Sequence, residues 1–245
     1  IDEPKGRYLI QSFGGEGNIA DSTKFANPIN ITLHNSFLYV LDQKEDYSRT
    51  FIKQYDLNFN LLSMYNISEN FYQTPAIDLM ASSDNILVLS PSGRLVKYDT
   101  SFESNEVFTL SDIEDFTLGD NYKKMASGKE NPNIFYILSN KNIFKKYKSN
   151  PSRSIARFQL DKFTPDEDHE FTSISVSNSI PNNDEIFVSD STYGVIYRFV
   201  ENENFQHAFY NTYESQIFAL SSIQINPQEN VSNFVFNKSF AKILF

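Results

Sequence analysis

One apolar segment recurs five times along the chain at nearly constant spacing. It reads LYVLD at 38–42, ILVLS at 86–90, FYILS at 135–139, IFVSD at 186–190 and FVFNK at 234–238. The second residues of these segments are 48, 49, 51 and 48 residues apart; they are Tyr39, Leu87, Tyr136, Phe187 and Val235. Self-similarity at a fixed period of 20–50 residues indicates a repeat architecture. The chain is therefore predicted to consist of five structural repeats.

Each repeat contains four short strands. A polar turn follows the recurring segment and leads to a strand with an aromatic residue near its end, at Tyr55, Tyr98, Tyr147, Phe199 and Phe245. A further strand is predicted at 60–67, 105–110, 154–160 and 205–211, and a looser strand precedes the segment, as at 29–34, 76–81 and 171–177. Helical periodicity is sustained nowhere. Four antiparallel strands repeated at this period are typical of the blades of an all-β fold, the β-propeller.

The two termini predict how the propeller closes. The fifth repeat stops at Phe245 after its third strand, and residues 7–13, RYLIQSF, form an extra strand before the first repeat. Pairing of 7–13 with 240–245 would complete the last blade and remove free strand edges. We therefore predict a single domain over residues 1–245, a five-bladed propeller closed by this pair. A sixth, degenerate blade within 99–135 is the alternative.

The first repeat carries a motif that the other repeats keep only in part. Its residues are Phe13, Gly14, Gly17, Phe25, Pro28, Leu38, Tyr39, Val40 and Asp42, and repeat four matches more loosely through Ile186, Val188, Asp190, Gly194, Ile196 and Phe199. This pattern resembles the NHL repeat. The resemblance implies a β-propeller, commonly of six blades, but no single activity, since NHL proteins include binding platforms, RNA-binding modules and lyase or lactonase-like enzymes.

Two kinds of side chain in the repeat have expected structural roles. Tyr39 and its counterparts are expected to pack between neighbouring blades, because large aromatic rings fill the wedge between twisted sheets. Asp42 and Asp190 directly follow the recurring strand, and their carboxylates are expected to cap the turn that comes next.

Composition excludes several classes of function. The chain has no Cys, which excludes disulfides, thiolate metal sites and Cys nucleophiles. With 21 basic and 31 acidic residues its net charge is −10, and the basic residues are scattered, so no nucleic-acid partner is expected. No apolar run approaches the roughly 20 residues of a membrane span, so direct membrane insertion is not expected. The chain begins at Ile1 rather than Met, and we interpret this as processing of an exported precursor.

Residues with catalytic chemistry do not converge in the predicted fold. The histidines occupy non-equivalent positions in their repeats, so no histidine metal site is predicted; they are His34, His169 and His207. Asp78 is the clearest acid on an innermost strand, beside the non-acidic Thr32 and Ser175. A single carboxylate cannot serve as both acid and base in glycoside hydrolysis. The sequence therefore predicts no catalytic, metal-binding or cofactor-binding residue and no cofactor.

Two charged segments are candidate sites. Asp166, Asp168 and Glu170 could hold Ca²⁺ through oxygen ligands, but their spacing lacks the glycine and downstream Glu of a known calcium loop, and a solvated loop is favoured. The basic run at 141–153 contains Lys145, Lys146, Lys148 and Arg153. We interpret this run as a solvated outer blade, with an interaction face as the alternative.

The leading functional hypothesis is a non-enzymatic platform that binds a protein or peptide partner through one face of the propeller or its loops. It is expected to be monomeric on its own and exported, either periplasmic or tethered at the cell envelope. One alternative is a degenerate hydrolase or lyase with a site in the central funnel. The other is a carbohydrate-binding propeller that uses exposed aromatic residues such as Tyr193. Three or more convergent carboxylates or histidines on the inner strands would favour the enzyme.

Overall fold

The computed structural model describes residues 16–18, 24–82, 84–110, 121–160, 169–178, 184–192, 195–200 and 218–224. The chain divides into two compact units, Ile1–Thr74 and Pro75–Phe245, which we call unit 1 and unit 2. Each unit is built from four-stranded antiparallel sheets in which the strands follow one another in chain order. We call these sheets blades 1 to 4.

Unit 1 contains blade 1 and a single helical turn. Its elements are β1 (Pro28–His34), β2 (Phe37–Gln43), β3 (Thr50–Tyr55), β4 (Leu61–Asn66) and α1 (Ser68–Phe71). Asn35 and Ser36, between β1 and β2, have φ values of 48° and 65°. Two residues with positive φ form the two-residue hairpin turn whose twist matches that of the flanking strands. On one face of the sheet Phe25 packs with Val40 and Tyr55.

Unit 2 contains blades 2, 3 and 4. Blade 2 consists of β5 (Asp78–Ala81), β6 (Asn85–Leu89), β7 (Arg94–Asp99) and β8 (Asn105–Thr109). Blade 3 consists of β9 (Tyr122–Ser127), β10 (Ile134–Ser139), β11 (Asn142–Tyr147) and β12 (Asn150–Gln159). Blade 4 consists of β13 (Phe171–Ser177), β14 (Glu185–Asp190), β15 (Val195–Val200) and β16 (Phe218–Gln224). The first strands of adjacent blades lie side by side, with β9 in contact with both β5 and β13.

The core of unit 2 lies between its blades. Successive side chains of a strand point to opposite faces, so a central blade can contribute to two cores at once. On β10, Phe135 and Ile137 pack into a cluster shared with blade 2. Tyr136 and Leu138 pack into a separate cluster shared with blade 4. The expected packing of the repeated position between blades is thus confirmed for Tyr136.

The fold class predicted from the sequence is confirmed: the protein is an all-β propeller of four-stranded antiparallel blades. The recurring segments at 38–42, 86–90, 135–139 and 186–190 coincide with β2, β6, β10 and β14, the second strand of each blade. The described residues contain four blades. The fifth segment at 234–238 lies outside them, so five blades and one domain over 1–245 stay predictions.

Three further predictions concern the fourth strand of blade 4, the pair of strands that closes the propeller, and a sixth blade. The fourth strand of blade 4 is β16 rather than the predicted segment 205–211. Alternation along one segment does not show which segment pairs with β15, and residues 205–211 lie outside the described part of the chain. The closing pair, 7–13 with 240–245, also lies outside it. Within 99–135, the site suggested for a sixth blade, the described strands β8 and β9 belong to blades 2 and 3.

Candidate functional site

The inner strands of unit 2 are the place where a propeller enzyme would carry its catalytic groups. These strands are β5, β9 and β13, the first strand of each blade. β5 contributes one carboxylate, Asp78, while β9 contributes Lys123 and Lys124. The sequence of β13, FTSISVS, is rich in Ser and Thr. Among the residues that the structure describes, no group of three or more His, Asp or Glu side chains is placed to hold a metal ion. The inner strands thus present hydroxyls and amines rather than convergent acids.

Asp78 joins blade 2 to blade 3. Its carboxylate accepts a hydrogen bond of 2.5 Å from the Met125 backbone N–H and lies 3.5 Å from the Lys124 Nζ. The side chain is 2% exposed. Burial raises the pKa of Asp78 to about 6, against the opposing effects of Lys124 and of the backbone N–H groups. The sequence placed Asp78 correctly on an inner strand, and the structure engages it in holding two blades together.

Asp184 makes the corresponding connection between blades 3 and 4. One carboxylate oxygen accepts hydrogen bonds of 2.9 Å from the backbone N–H groups of Lys129 and Glu130, in the turn between β9 and β10. The other oxygen accepts a 2.9 Å hydrogen bond from the Tyr136 hydroxyl. Asp184 is 4% exposed. It directly precedes β14, and no pattern in the sequence singles it out.

One polar position is repeated in all four described blades. It follows the second residue of the recurring segment by three places and is fully buried in each blade; its occupants are Asp42, Ser90, Ser139 and Asp190. Ser90 Oγ accepts from the Arg94 N–H and Ser139 Oγ from the Asn142 N–H, so each caps the turn after its strand. Asp190 does the same for the Thr192 N–H, which confirms the capping role predicted for it.

Asp42 differs from the prediction. Its carboxylate accepts from the N–H groups of Ala26 and Asn27, which precede β1, and not from the turn that follows β2. The same carboxylate is paired with Lys53 on the adjacent strand, whose Nζ lies 3.1 Å away with both side chains fully buried. Lys53 Nζ also lies 4.9 Å from the centre of the Phe25 ring. Asp42 therefore fixes the chain that leads into blade 1.

A second ionisable cluster lies where β13 begins and β14 ends. His169 Nδ1 is 2.5 Å from the Asp190 Oδ2, and the imidazole stacks on Phe171 with 5.4 Å between ring centres. The edge of Tyr197 contacts the same imidazole. Glu170 accepts a 2.8 Å hydrogen bond from the Ser191 hydroxyl. The sequence predicts no histidine metal site and does not reveal the pairing of His169 with Asp190, because the two are 21 residues apart.

Lys123 faces this cluster from β9. Burial lowers the pKa of Lys123, and the negative charges of Glu170 and Asp190 oppose that effect. Since Lys124 points to Asp78 on the other side, the two consecutive lysines of β9 reach towards different neighbouring blades. Alternation along a strand accounts for this division.

The basic run at 141–153 is largely buried, so its interpretation as a solvated outer blade is wrong for three lysines. Lys145, Lys146 and Lys148 are 8%, 0% and 6% exposed. Lys145 Nζ lies 6.0 Å from the centre of the Tyr136 ring, and Lys148 Nζ is 3.1 Å from the Ser127 Oγ. Burial lowers the pKa of Lys148. Long aliphatic stems and aromatic neighbours allow lysines to fill space between strands.

The remaining candidate residues belong to different units or lie outside the described residues. His34 ends β1 in unit 1 and His169 lies in unit 2, while His207 is outside the described residues. Asp166 and Asp168 of the possible calcium loop are also outside them, as is Tyr193. No helix in the described residues is long and apolar enough to cross a membrane.

Among the described residues, exposed large apolar side chains are concentrated in unit 1. Of eight large hydrophobic residues that are exposed in the described structure, six belong to blade 1 and its loops: Ile31, Leu33, Tyr47, Leu57, Leu62 and Tyr72. The other two, Val107 and Tyr147, lie in unit 2. A 3.2 Å hydrogen bond from the Gln73 N–H to the Tyr47 carbonyl brings the loop after β2 next to the loop after α1. Tyr47 and Tyr72, 38% and 61% exposed, are therefore carried on adjacent loops.

The chain is similar in fold to solved structures, but no sequence family matches it. No protein-family profile matches the chain, and no curated protein matches it. Kluyvelomyces marxianus Hsv2 is similar with 8% identity and a TM-score of 0.47, over 74% of this chain and 52% of that one. The Pan2 WD40 domain of Neurospora crassa has 9% identity and a TM-score of 0.47, over 70% of this chain and 46% of that one. The chain thus spans about half the length of each, and this distant likeness carries no functional argument.

Proposed function

We propose that this β-propeller is a non-enzymatic platform that binds a protein or peptide partner through unit 1. The observation that carries the proposal is the pair of exposed tyrosines that unit 1 carries on adjacent loops, Tyr47 and Tyr72, while the other four exposed apolar residues are distributed over blade 1 and its turns. Scattered single apolar residues are normal on a surface, whereas neighbouring exposed apolar side chains are typical of interaction sites. Tyr is also among the residues that contribute most to binding energy at interfaces.

The inner strands of unit 2 support the same proposal. Their one carboxylate, Asp78, is committed to the Met125 N–H and to Lys124, and Asp184 is committed to two backbone N–H groups and Tyr136. These groups act as structural connections between blades. The NHL relationship, monomeric state and envelope location stay predictions from the sequence.

One feature favours the alternative of a hydrolase or lyase. A carboxylate bound to Nδ1 of a histidine is the arrangement that orients an imidazole as a general base, and His169 and Asp190 have it. However, the His169 side chain is only 9% exposed and is stacked against Phe171, which restricts the approach of a substrate. A broad hydrolase screen with the wild type and the His169→Gln variant tests this alternative. Turnover that is lost in the variant would overturn the platform proposal.

Affinity capture from the native cell tests the platform directly. The bait is the full chain, compared with Tyr72→Ser in unit 1 and with Tyr147→Ser in unit 2 as a matched control, since the two tyrosines are 61% and 45% exposed. We expect a protein that the wild type and Tyr147→Ser enrich equally and that Tyr72→Ser captures more weakly. Equal capture by all three baits would place the binding surface elsewhere, and no specific capture would contradict the function itself.

A further inference from the structure

Tyr47 has a backbone conformation that does not suit its side chain. It lies in the loop from β2 to β3, which hydrogen bonds close from the Lys44 N–H to the Arg49 carbonyl and from the Tyr47 N–H to the Lys44 carbonyl, 3.0 and 2.9 Å long. The φ of Tyr47 is 55°, in the left-handed region. There the Cβ approaches the following carbonyl oxygen, so Gly, Asn and Asp are favoured and a bulky residue is an outlier. The loop therefore holds a tyrosine where a smaller residue would suit the backbone better.

Phe102 in blade 2 shows how the protein compensates such a residue elsewhere. It lies in the turn between β7 and β8 and has a φ of 59°. Its side chain is partly buried, and its ring packs on Tyr98 of β7 with 5.5 Å between ring centres. Tyr47 is more exposed, at 38%, so less of its side chain packs within the chain. Backbone strain that local packing does not offset is typical of residues with a function.

The loop after α1 has the same backbone conformation where it meets the first loop. Gln73 has a φ of 55°, and its N–H donates the 3.2 Å hydrogen bond to the Tyr47 carbonyl. The Gln43 Nε2 donates a 2.9 Å hydrogen bond to the Thr74 carbonyl, which fastens this loop to β2. Tyr72 directly precedes these two anchored residues. Both tyrosines are thus carried on a backbone that is fixed before a partner binds, which reduces the entropy lost on binding.

The charges around the two tyrosines favour a basic partner. We call residues 44–49 and 68–74 the two-loop surface. Three of its four exposed charged side chains are acidic, Glu45, Asp46 and Glu69, and the fourth is Arg49. Lys44 is partly buried and acts on the Asp46 carboxyl, whose pKa is lowered mainly by hydrogen bonds from Ser48. A cation is attracted by such carboxylates and by the face of an aromatic ring, and the net charge of −10 acts in the same direction.

From these observations we propose that the two-loop surface binds an exposed segment of a partner protein through a basic side chain, and that Tyr47 serves this binding rather than stability. The rings of Tyr47 and Tyr72 hold the cationic group, and the neighbouring carboxylates complement its charge. Arg suits the site best, because its planar guanidinium stacks on aromatic faces and pairs with carboxylates. The inference rests on the proposed platform function and names the chemistry of its partner.

The test uses the full chain and a displayed library of random peptides. Tyr47→Asn removes the ring and supplies a residue that suits the left-handed backbone, and Phe102→Asn is its matched control in blade 2. Glu69→Gln removes one exposed charge from the two-loop surface, and Glu103→Gln removes one from an exposed turn of blade 2. Urea denaturation measures the stability of each variant. Calorimetric titration measures the affinity for a selected peptide and for the same peptide with its basic residues replaced by neutral citrulline.

We expect the selected peptides to contain Arg or Lys and to lose affinity when citrulline replaces these residues. Their affinity should fall by about tenfold with Tyr47→Asn and by about twofold to fivefold with Glu69→Gln. It should stay unchanged with Phe102→Asn and with Glu103→Gln. The urea midpoint should stay equal or rise with Tyr47→Asn, whereas Phe102→Asn should lower it.

Several results would overturn the inference. A urea midpoint that Tyr47→Asn lowers as much as Phe102→Asn does would identify Tyr47 as a packing residue. Recovery of no peptides, or of peptides that lack basic residues or bind Tyr47→Asn unchanged, would exclude the basic partner. The platform function would still stand if the wild type captures a protein that Tyr72→Ser captures more weakly. Dimerisation, or binding to a panel of glycans, that Tyr47→Asn abolishes would assign the surface to a second copy or to a carbohydrate instead.

Discussion

Replacing Asp78 with Asn removes a buried negative charge from the junction of blades 2 and 3 and leaves an oxygen opposite the Met125 N–H. The wild-type carboxyl group has a pKa of about 6, compared with 3.8 for an ordinary Asp, and the main cause is its burial. The folded state therefore holds the Asp78 proton more tightly than the unfolded chain does. Ionisation of Asp78 consequently destabilises the fold even though Lys124 lies nearby.

The sign and size of the effect follow from linkage. Between pH 3.8 and about 6 the folded state binds more protons than the unfolded state, so the contribution of Asp78 is fully present below pH 3.8 and is lost as the pH rises through about 6. A pKa difference of one corresponds to about 1.4 kcal/mol, which gives ~3 kcal/mol here. We expect Asp78→Asn to be more stable than the wild type by up to that amount at pH 7.5. The two proteins should become nearly equal at about pH 4.

The assay is urea denaturation of both proteins across this pH range. Other titrating groups contribute equally to both and cancel in the difference. Asp78→Ala serves as the control, because it leaves the Met125 N–H without its acceptor and should lower the free energy of unfolding by about 1–3 kcal/mol relative to Asp78→Asn at every pH. A wild-type to Asn difference that does not change with pH would refute the reasoning.

Two further substitutions test other contacts. Gly93 has a φ of +85°, and a Cβ there would lie 2.6 Å from the Tyr122 Cε2. Gly93→Ala should therefore lower the free energy of unfolding by about 2–4 kcal/mol, because the backbone strain and the clash add. An unchanged melting temperature would contradict this. Lys53→Met leaves the buried Asp42 carboxylate without its cation and should cost about 3–5 kcal/mol, much of which Asp42→Asn should restore in the double variant. Strict additivity of the two single changes in denaturation experiments would show that the ion pair is not coupled.

The strands could be predicted because their signal is local. Apolar alternation and polar turns lie within each repeat, and the recurring segments at 38–42, 86–90, 135–139 and 186–190 fall on the second strand of each blade. The sequence does not predict the first strand of blade 3, Tyr122–Ser127, since two lysines interrupt its apolar pattern. These lysines have partners on the neighbouring blades, and a pattern confined to one strand does not reveal them.

The polar contacts could not be predicted because their partners are distant in sequence. Asp78 and Met125 are 47 residues apart, and Tyr136 and Asp184 are 48 residues apart, which is nearly one repeat. The repeat period shows that such residues are in adjacent blades, but the choice of partner depends on how two sheets pack. The burial of lysines such as Lys146 could not be predicted for a related reason. A charged residue is expected at the surface, and only the surrounding side chains show that it is buried.

The bonds between blades 2, 3 and 4 have a consequence for how the repeats can vary. Asp78 binds the N–H of Met125, and Asp184 binds the N–H groups of Lys129 and Glu130, so main-chain donors supply these bonds beside the side-chain contacts of Lys124 and Tyr136. Every residue except proline offers such an N–H. A contact of this kind restricts the side chain on only one of the two blades, and the other blade can change its sequence without breaking the joint. Repeats joined in this way can lose their common motif and still stack with the same geometry.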